Sequence, residues 1–226
     1  MKLLSRLVLL IASLVACVAM TTQKKTRVLF FGDSITQAGV GSQGYITKIG
    51  QMLKDKNIDA QYELVGAGIG GNKVYDLYLR MDSDVLAKNP DVVVIWVGVN
   101  GVWHKASYGT GTDPDKFQHF YEAIIKKLQA KNIKVFLTTP STIGERTDNS
   151  NQQDGDLNYY SNIIRHLAST MNCGLIDLRK DFLEYNLKNN PGNKESGILT
   201  TDRVHLNEKG NEFVAEKMFD IVFPKK

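Results

Sequence analysis

The chain has 226 residues, of which 42% are hydrophobic and 23% charged, with 19 Gly, 5 Pro and 2 Cys. These values are ordinary for a globular protein, so they exclude a disordered, collagen-like or disulfide-stapled chain. The 28 Lys and Arg residues and 24 Asp and Glu residues give a formal net charge of +4. The basic residues are scattered rather than gathered in a stripe with interleaved aromatic residues, so we expect no nucleic-acid partner.

The first twenty residues have the pattern of an export signal. Lys2 and Arg6 precede an apolar run over residues 7–20, which is short for a membrane span of about 20 residues. Residues 1–20 are therefore predicted to be a signal peptide, and a retained membrane anchor is the less favoured interpretation. We expect the mature protein to be exported, either to the periplasm, to the outer membrane as a lipoprotein, or to the medium.

Two cleavage sites fit the end of this segment. Leu14-Val15-Ala16-Cys17 resembles a bacterial lipobox, in which Cys17 is lipidated and becomes the first mature residue. Cys17-Val18-Ala19 instead fits the small-x-small site of ordinary signal peptidase. We favour the lipoprotein interpretation, in which the lipid on Cys17 is the only attachment to a membrane.

Beyond residue 26, short apolar runs alternate with amphipathic patterns. The runs predict buried strands over residues 27–31, 62–65, 92–97, 133–138 and 175–178. Apolar residues at helical spacing predict helices that include residues 117–128, 160–168 and 214–222. Asn207 is a candidate N-cap of the last helix. Buried strands that alternate with helices predict an α/β fold with a parallel sheet covered on both faces, and we expect a single domain over residues 27–226.

Candidate functional residues follow the first three strands, where open parallel sheets bind their ligands. Ser34, in Gly32-Asp33-Ser34, either presents its hydroxyl there or caps the next helix. Residues 66–71 satisfy the pattern G-x-G-x-x-G, but the next strand ends at Asn100 rather than at an acidic residue. This disfavours a dinucleotide site and leaves a loop whose backbone N–H groups can approach a ligand. The side-chain amide of Asn100 either donates to an anionic oxygen or occupies a turn.

A late segment joins an acid to a histidine. Asp202 precedes His205 by three residues, so its carboxylate can orient the imidazole. A metal site is not expected, because His119 and His166 fall within helical patterns and supply no third ligand. Cys173 is interpreted as a buried structural thiol rather than a nucleophile, since it lies between a helical pattern and an apolar strand.

These four blocks, in this order, resemble the SGNH/GDSL hydrolase family over essentially the whole mature chain. Ser34 matches the first block, Gly71 the second, Asn100 the third, and the segment from Asp202 to His205 the last. The resemblance implies a three-layer α/β/α, flavodoxin-like fold with a parallel sheet of about five strands. The chain departs from the family pattern in two places: Gly101 stands where the third block usually has Asp, and Gly66 where an Asn often precedes the second-block glycine.

The resemblance also implies a carboxylic-ester hydrolase of the serine esterase type without metal or organic cofactor. In that mechanism Ser34 is the nucleophile, His205 its general base and Asp202 the residue that orients the base. The oxyanion hole comprises the backbone N–H groups of Ser34 and Gly71 and the side chain of Asn100. Because imidazole ordinarily titrates near pH ~6.5, activity is expected to rise from mildly acidic to neutral pH.

Two polar segments, residues 101–112 and 141–155, are predicted to be long loops that shape the substrate site. Trp103 and His104 are candidate substrate-binding residues, with Trp103 either a wall of the site or packed beneath its own loop. Neither segment has a broad apolar run for a long acyl chain. We therefore expect small acyl esters, acetyl above all, and carbohydrate or other small-molecule substrates by family analogy. The alternative is a non-catalytic, surface-attached carbohydrate-binding protein on the same scaffold.

Overall fold

The computed structural model describes residues 24–224. The predicted signal peptide and Cys17 lie outside the described residues, so both stay predictions. No helix within residues 24–224 is long and apolar enough to cross a membrane.

Five parallel strands form one sheet in the order β2-β1-β3-β4-β5. The strands are β1 (Thr26–Gly32), β2 (Tyr62–Gly68), β3 (Val92–Trp96), β4 (Lys134–Thr138) and β5 (Gly174–Ile176). All five predicted strands are present, and the predicted α/β fold is confirmed. The expectation that every strand is buried is wrong for β2 and β5, which are half-buried because they lie at the edges of the sheet. The fifth is shorter than predicted because Asp177 caps a helix there, its side chain accepting a hydrogen bond from the Lys180 backbone N–H.

Eight α-helices surround the sheet within the described residues. They are α1 (Ser34–Ala38), α2 (Tyr45–Asp55), α3 (Val74–Asp84), α4 (Val99–Tyr108), α5 (Pro114–Gln129), α6 (Asp154–Thr170), α7 (Leu178–Asn189) and α8 (Glu208–Val222). Helix α2 packs against α8, whereas α3 packs against α5, which also contacts α6. Asn207 caps α8 as predicted, because its side-chain oxygen accepts from the Gly210 N–H at 2.8 Å.

The three-layer arrangement follows from strands that are apolar on both faces. Phe30 and Phe31 are neighbours in β1, so they point to opposite faces of the sheet, and both are fully buried. Phe30 packs edge-on against Tyr45 of α2, with ring centroids 5.8 Å apart. Phe31 lies beneath Arg80 of α3, with 4.6 Å between the guanidinium carbon and the ring centroid. Each face of β1 therefore needs a helix to cover it.

The predicted loop over residues 101–112 is wrong, because most of it belongs to α4. Val99 and Val102 are buried and anchor the helix to the core. Gly109 ends the helix with φ of +67°, a left-handed conformation that favours glycine. Two buried valines and an internal glycine make too weak an apolar pattern for sequence to reveal this helix. The second polar segment is a loop up to Gln153, and its residues 141–145 are buried.

Candidate active site

The strand order places β1 between β2 and β3. The second strand of the chain is therefore added on one side of β1, and the third, fourth and fifth strands are added on the other side. Crossovers leave β1 and β3 toward opposite faces at such a point, and a crevice opens beyond the carboxyl ends of the strands. Ser34 follows β1, Gly71 follows β2 and Asn100 follows β3. The topology therefore brings these three predicted site residues to one edge of the sheet.

Ser34 is the first residue of α1. The carboxylate of Asp33 caps this helix by accepting from the Ile35 N–H at 3.0 Å. Gly32, just before it, has no space for a side chain, since a Cβ there would collide with the Thr36 hydroxyl and the Trp96 carbonyl. Close packing and the cap together fix the backbone at Ser34, and this residue is half-buried.

A chain of hydrogen bonds joins Ser34 to the late segment of the sequence. Ser34 Oγ lies 2.9 Å from His205 Nε2, and His205 Nδ1 lies 2.7 Å from Asp202 Oδ2. The other oxygen of Asp202 accepts from the backbone N–H groups of Val204 at 3.1 Å and His205 at 2.8 Å. The acid is therefore held by the same short turn that carries the imidazole.

The turn from Asp202 to His205 is closed by pairing of the chain on either side of it. Thr200 and Leu206 form an antiparallel bridge, and the Thr201 N–H donates to the His205 carbonyl at 2.8 Å. Arg203 has φ of +84° within the turn. A non-glycine residue in that region indicates a backbone that its surroundings impose, and here the imposed turn aims His205 at the sheet.

Glu145, which is not among the predicted site residues, anchors this turn to the rest of the protein. Its side chain is fully buried, and its carboxylate accepts three backbone N–H groups: Ile198 at 2.8 Å, Leu199 at 2.7 Å and Thr200 at 2.8 Å. Charge-assisted bonds of this kind are among the strongest in proteins. An isolated acid in a polar segment gives no sequence signal for such a role, because its partners are about fifty residues away.

The pKa values of two acidic residues near the site are shifted in opposite directions, that of Asp202 downward and that of Asp33 upward. Burial alone would raise the pKa of Asp202, but hydrogen bonds from the side chain and backbone of His205 and from Val204 hold it below its usual value. Burial raises the pKa of Asp33 to about 7, although the hydrogen bond from Ile35 and the charge of His205 oppose this. Asp202 therefore stays ionised in mildly acidic solution, whereas Asp33 gains a proton there.

Asn100 lies in the first turn of α4 and is buried, with 2% of its surface exposed. Its Nδ2 donates to the backbone carbonyl of Asn72 at 3.1 Å. Since a side-chain amide nitrogen carries two N–H groups, the second is left for another acceptor. Gly71, next to Asn72, has φ of +76°, which favours glycine. The structure therefore links the predicted Asn100 to the predicted Gly71 loop.

Aromatic side chains of α4 border the same site. The Trp103 ring lies edge-on to the His205 imidazole with centroids 6.1 Å apart, and His104 lies 5.1 Å from Tyr108. A Cβ placed on Gly71 would be 3.9 Å from the His104 ring. Burial and the charge of Lys73 lower the pKa of His104, so this imidazole tends to be neutral. Trp103 and His104, the two predicted substrate-binding residues, therefore lie beside the predicted site.

Other candidates lie away from this crevice. His119 is in α5 and His166 in α6, as predicted. Cys173 is half-buried rather than buried, and burial raises the pKa of its thiol to about 11, which disfavours the nucleophilic thiolate. Within residues 24–224, no three His, Cys, Asp or Glu side chains are grouped so that they could hold a metal ion. A groove of about 680 Å³ lies along α2 and β2 and includes none of the predicted site residues.

The comparisons with known proteins agree with the fold and the order of these blocks. The model of the GDSL-like lipase/acylhydrolase family matches residues 30–213, and the chain belongs to this family. It is a carboxylic-ester hydrolase.

Individual relatives within this family include acetylxylan esterases. The crystal structure of an acetyl xylan esterase, AlAXEase, is 70% identical with a TM-score of 0.86, and the match covers 87% of this chain and all of that one. An acetylxylan esterase of Geobacillus stearothermophilus is 28% identical over 207 residues, which are 84% of this chain and 90% of that protein. The crystal structure of Axe2 from the same species shares the fold at 22% identity, with a TM-score of 0.76 over 91% of this chain and 98% of that one.

Proposed function

We propose that this protein is a serine esterase that removes acetyl groups from acetylated xylan. The substrate is supported by the 70% and 28% identical relatives, both of which are described as acetylxylan esterases. The observation that carries the mechanism is the hydrogen-bonded series from Ser34 through His205 to Asp202, with separations of 2.9 and 2.7 Å. Nucleophile, base and orienting acid are already within the distances that proton transfer needs.

Acylation begins with removal of the Ser34 proton by His205 Nε2 as Oγ attacks the acetyl carbonyl carbon. The imidazolium that forms carries one proton on each nitrogen, and Asp202 stabilises it through Nδ1. His205 then gives the Nε2 proton to the sugar oxygen, the ester bond breaks, and the deacetylated sugar leaves. Water next repeats the attack on the acetyl-serine with the same base, which releases acetate and restores the Ser34 hydroxyl.

The tetrahedral oxyanion of both steps is stabilised by three donors, the backbone N–H groups of Ser34 and Gly71 and the side-chain amide of Asn100. The Ser34 N–H lies at the start of α1, where helix N–H groups have no partner within the helix. Asn100 keeps one amide N–H after its bond to Asn72. Loss of one such donor typically costs about 10²–10³ in rate.

The open setting of these residues suits a small acyl group carried by a long chain. The His205 side chain is 37% exposed and that of Asp202 50%. Trp103 is proposed as one wall of the acetyl site and His104 as a second contact near Gly71, because both rings border the residues of the mechanism. A polysaccharide can lie across such a surface with only its acetyl group entering the crevice.

We also propose that the protein is exported through residues 1–20 and anchored by a lipid on Cys17. The proposal is supported by the charged start, the apolar run and the lipobox-like Leu14-Val15-Ala16-Cys17. An extracytoplasmic site agrees with a polymeric substrate that cannot enter the cell. Metabolic labelling with palmitate, and its loss in Cys17→Ala, tests the anchor.

The activity is tested with p-nitrophenyl esters from acetyl to octanoyl and with acetylated xylan, using the purified protein and Ser34→Ala. We expect acetate release from xylan and rapid turnover of the short esters, both abolished in the variant, because Oγ is the attacking atom. Turnover of p-nitrophenyl acetate without release from xylan would retain the esterase and refute the substrate. Equal turnover by Ser34→Ala would refute the mechanism.

A further inference from the structure

Arg80 lies on α3, and its guanidinium group reaches the ends of two strands at once. One of its nitrogens donates to the carbonyl of Gly32, the last residue of β1, at 2.8 Å, and to the carbonyl of Ala67 in β2 at 3.0 Å. Its Nε donates to the side-chain oxygen of Asn72 at 2.7 Å. The side chain is only 13% exposed. Arg80 thus bonds to β1, to β2 and to the loop that follows β2.

Two further contacts hold the guanidinium group in place. Its remaining nitrogen pairs with Asp84, one helical turn further along α3, at 2.8 Å. Its central carbon lies over the Phe31 ring at 4.6 Å from the ring centroid, a cation–π contact that arginine commonly makes. A guanidinium held by four acceptors and by a ring beneath it has little freedom, so it can fix the positions of the carbonyls to which it donates.

Two of the residues to which Arg80 donates, Gly32 and Asn72, lie close in the chain to proposed oxyanion donors. Gly32 is two residues before Ser34, and Asn72 follows Gly71. The backbone carbonyl of Asn72 in turn accepts the side-chain N–H of Asn100 at 3.1 Å. The loops also touch directly, since the Ile69 N–H donates to the Gly32 carbonyl at 3.2 Å. Arg80 makes no contact with the reacting atoms themselves.

We propose that Arg80 is a positioning residue for the oxyanion hole, which sets the loop after β2 against the loop that carries Ser34. This proposal rests on the proposed function. Oxyanion donors act on charge that develops in the transition state, and displacement by a few tenths of an ångström weakens them. Loss of the bridge therefore lowers kcat while substrate binding in the ground state changes little.

Arginine is suited to this bridge by its shape. The guanidinium carries five N–H donors in a rigid plane and can serve acceptors in several directions. A lysine ammonium has the same charge but places its three donors on one atom, so it cannot span Gly32, Ala67 and Asn72 together. The Arg80→Lys variant therefore separates the bridge from the charge.

Arg27 supplies a matched control at the opposite end of the same two strands. Its Nε donates to Glu63 of β2 at 3.0 Å, and its guanidinium also donates to the carbonyl of Lys88. Arg27 and Glu63 are paired residues of β1 and β2. An arginine that links β1 to β2 merely for stability is therefore available far from the carboxyl ends of the strands.

The experiment measures kcat and KM for p-nitrophenyl acetate, on the plateau of the pH profile, in the purified protein and in Ser34→Ala, Arg80→Met, Arg80→Lys and Arg27→Met. Thermal unfolding is recorded for each. We expect both Arg80 variants to lose about 10- to 100-fold in kcat with KM nearly unchanged, since the donors are displaced rather than removed. Arg27→Met is expected to lower the melting temperature without lowering kcat.

A double-mutant cycle shows whether Arg80 acts through the donors. The loss in kcat caused by Arg80→Lys should shrink when Asn100 is already Ala, because residues that act as a unit are not additive. Should neither Arg80 variant fold, Asn72→Ala removes one arm of the bridge and should lower kcat in the same direction.

The outcomes distinguish the two proposals. The positioning role is overturned if Arg80→Lys has the kcat of the unmodified protein. It is also overturned if the fold-losses in kcat of Arg80→Lys and Asn100→Ala multiply fully in the double variant. In both cases Ser34→Ala still abolishes turnover, so the proposed function stands. If neither Arg80 variant folds and Asn72→Ala is measured in their place, an unchanged kcat for Asn72→Ala also overturns the positioning role. Turnover that survives Ser34→Ala refutes the proposed function, and the role of Arg80 falls with it.

Discussion

The Asp202→Asn substitution tests the proposed mechanism by changing which nitrogen of the His205 imidazole carries the proton. The two side chains have nearly the same shape, so the turn is retained. Asp202 Oδ1 accepts the N–H groups of Val204 and His205, and the Asn carbonyl oxygen is the only atom that can continue to do so. The Asn NH₂ group must then occupy the place of Oδ2, which lies 2.7 Å from His205 Nδ1.

Two N–H donors cannot face one another at that distance, so the imidazole has to accept at Nδ1 and keep its proton on Nε2. In that tautomer Nε2 donates to Ser34 Oγ and cannot remove its proton. The expected fall in kcat is about 10⁴-fold, or about 5 kcal/mol in activation free energy. KM should change little, because the lost interaction stabilises the imidazolium of the transition state.

The assay is the hydrolysis of p-nitrophenyl acetate by the purified protein, Asp202→Asn and Asp202→Ala, with thermal unfolding of each. The Ala variant loses both backbone hydrogen bonds, so it should melt below the Asn variant, yet its imidazole is free to choose either tautomer. We therefore expect Asp202→Ala to be no less active than Asp202→Asn. A kcat for Asp202→Asn within tenfold of the unmodified protein would refute the tautomer argument.

Two further predictions concern the buried acids of the site. Glu145→Gln must turn an NH₂ group toward at least one of the N–H groups of residues 198–200, and loss of a charged hydrogen bond costs about 1.5–3 kcal/mol. The melting temperature of Glu145→Gln should drop by several degrees. The control Glu195→Gln, at the exposed surface, should change the melting temperature of the protein little. Equal melting temperatures for the two variants would contradict the anchoring role of Glu145. For Asp33, whose buried carboxyl has a pKa of about 7 against an ordinary 3.8, the folded state prefers the protonated form. The stability it contributes is therefore lost as pH rises from about 4 through 7. Asp33→Asn keeps the oxygen that accepts from Ile35, so its melting temperature relative to the unmodified protein should rise between pH 4 and pH 8, and a constant difference would refute the assignment.

The chemistry of the site could be predicted from sequence where a few adjacent residues specify it. Ser34 follows an apolar strand directly, and Asp202 precedes His205 by three residues within one turn. The three central strands could be predicted too, because a strand buried on both faces is a continuous apolar run, and the half-buried edge strands β2 and β5 still carry short apolar runs. In each case the signal is contained in a short stretch of chain, which periodicity and spacing can detect.

Helix α4 could not be predicted from the sequence, because its apolar pattern is too weak. Its apolar side comprises little more than Val99 and Val102, and Gly101 weakens the helical pattern further. The helix packs against the core through Val99 and Val102 and lies against α6, where Tyr160 leaves 3.6 Å to the point that a Cβ on Gly101 would occupy. Tertiary packing overrode a weak local preference there, and Trp103 and His104 lie on a helix rather than on a loop.

The sequence by itself determined the strands, the family and the residue types of the proposed mechanism, since these depend on neighbours along the chain. Only the tertiary structure decided which groups meet: Ser34 and His205 are 171 residues apart yet share a hydrogen bond. The same holds for Arg80, whose acceptor at Gly32 is 48 residues away, and for Glu145, whose acceptor role spans more than fifty. Hydrogen bonds act over about 3 Å, and the chain brings such distant groups within that range only after the sheet has ordered its strands and the helices have packed on both faces.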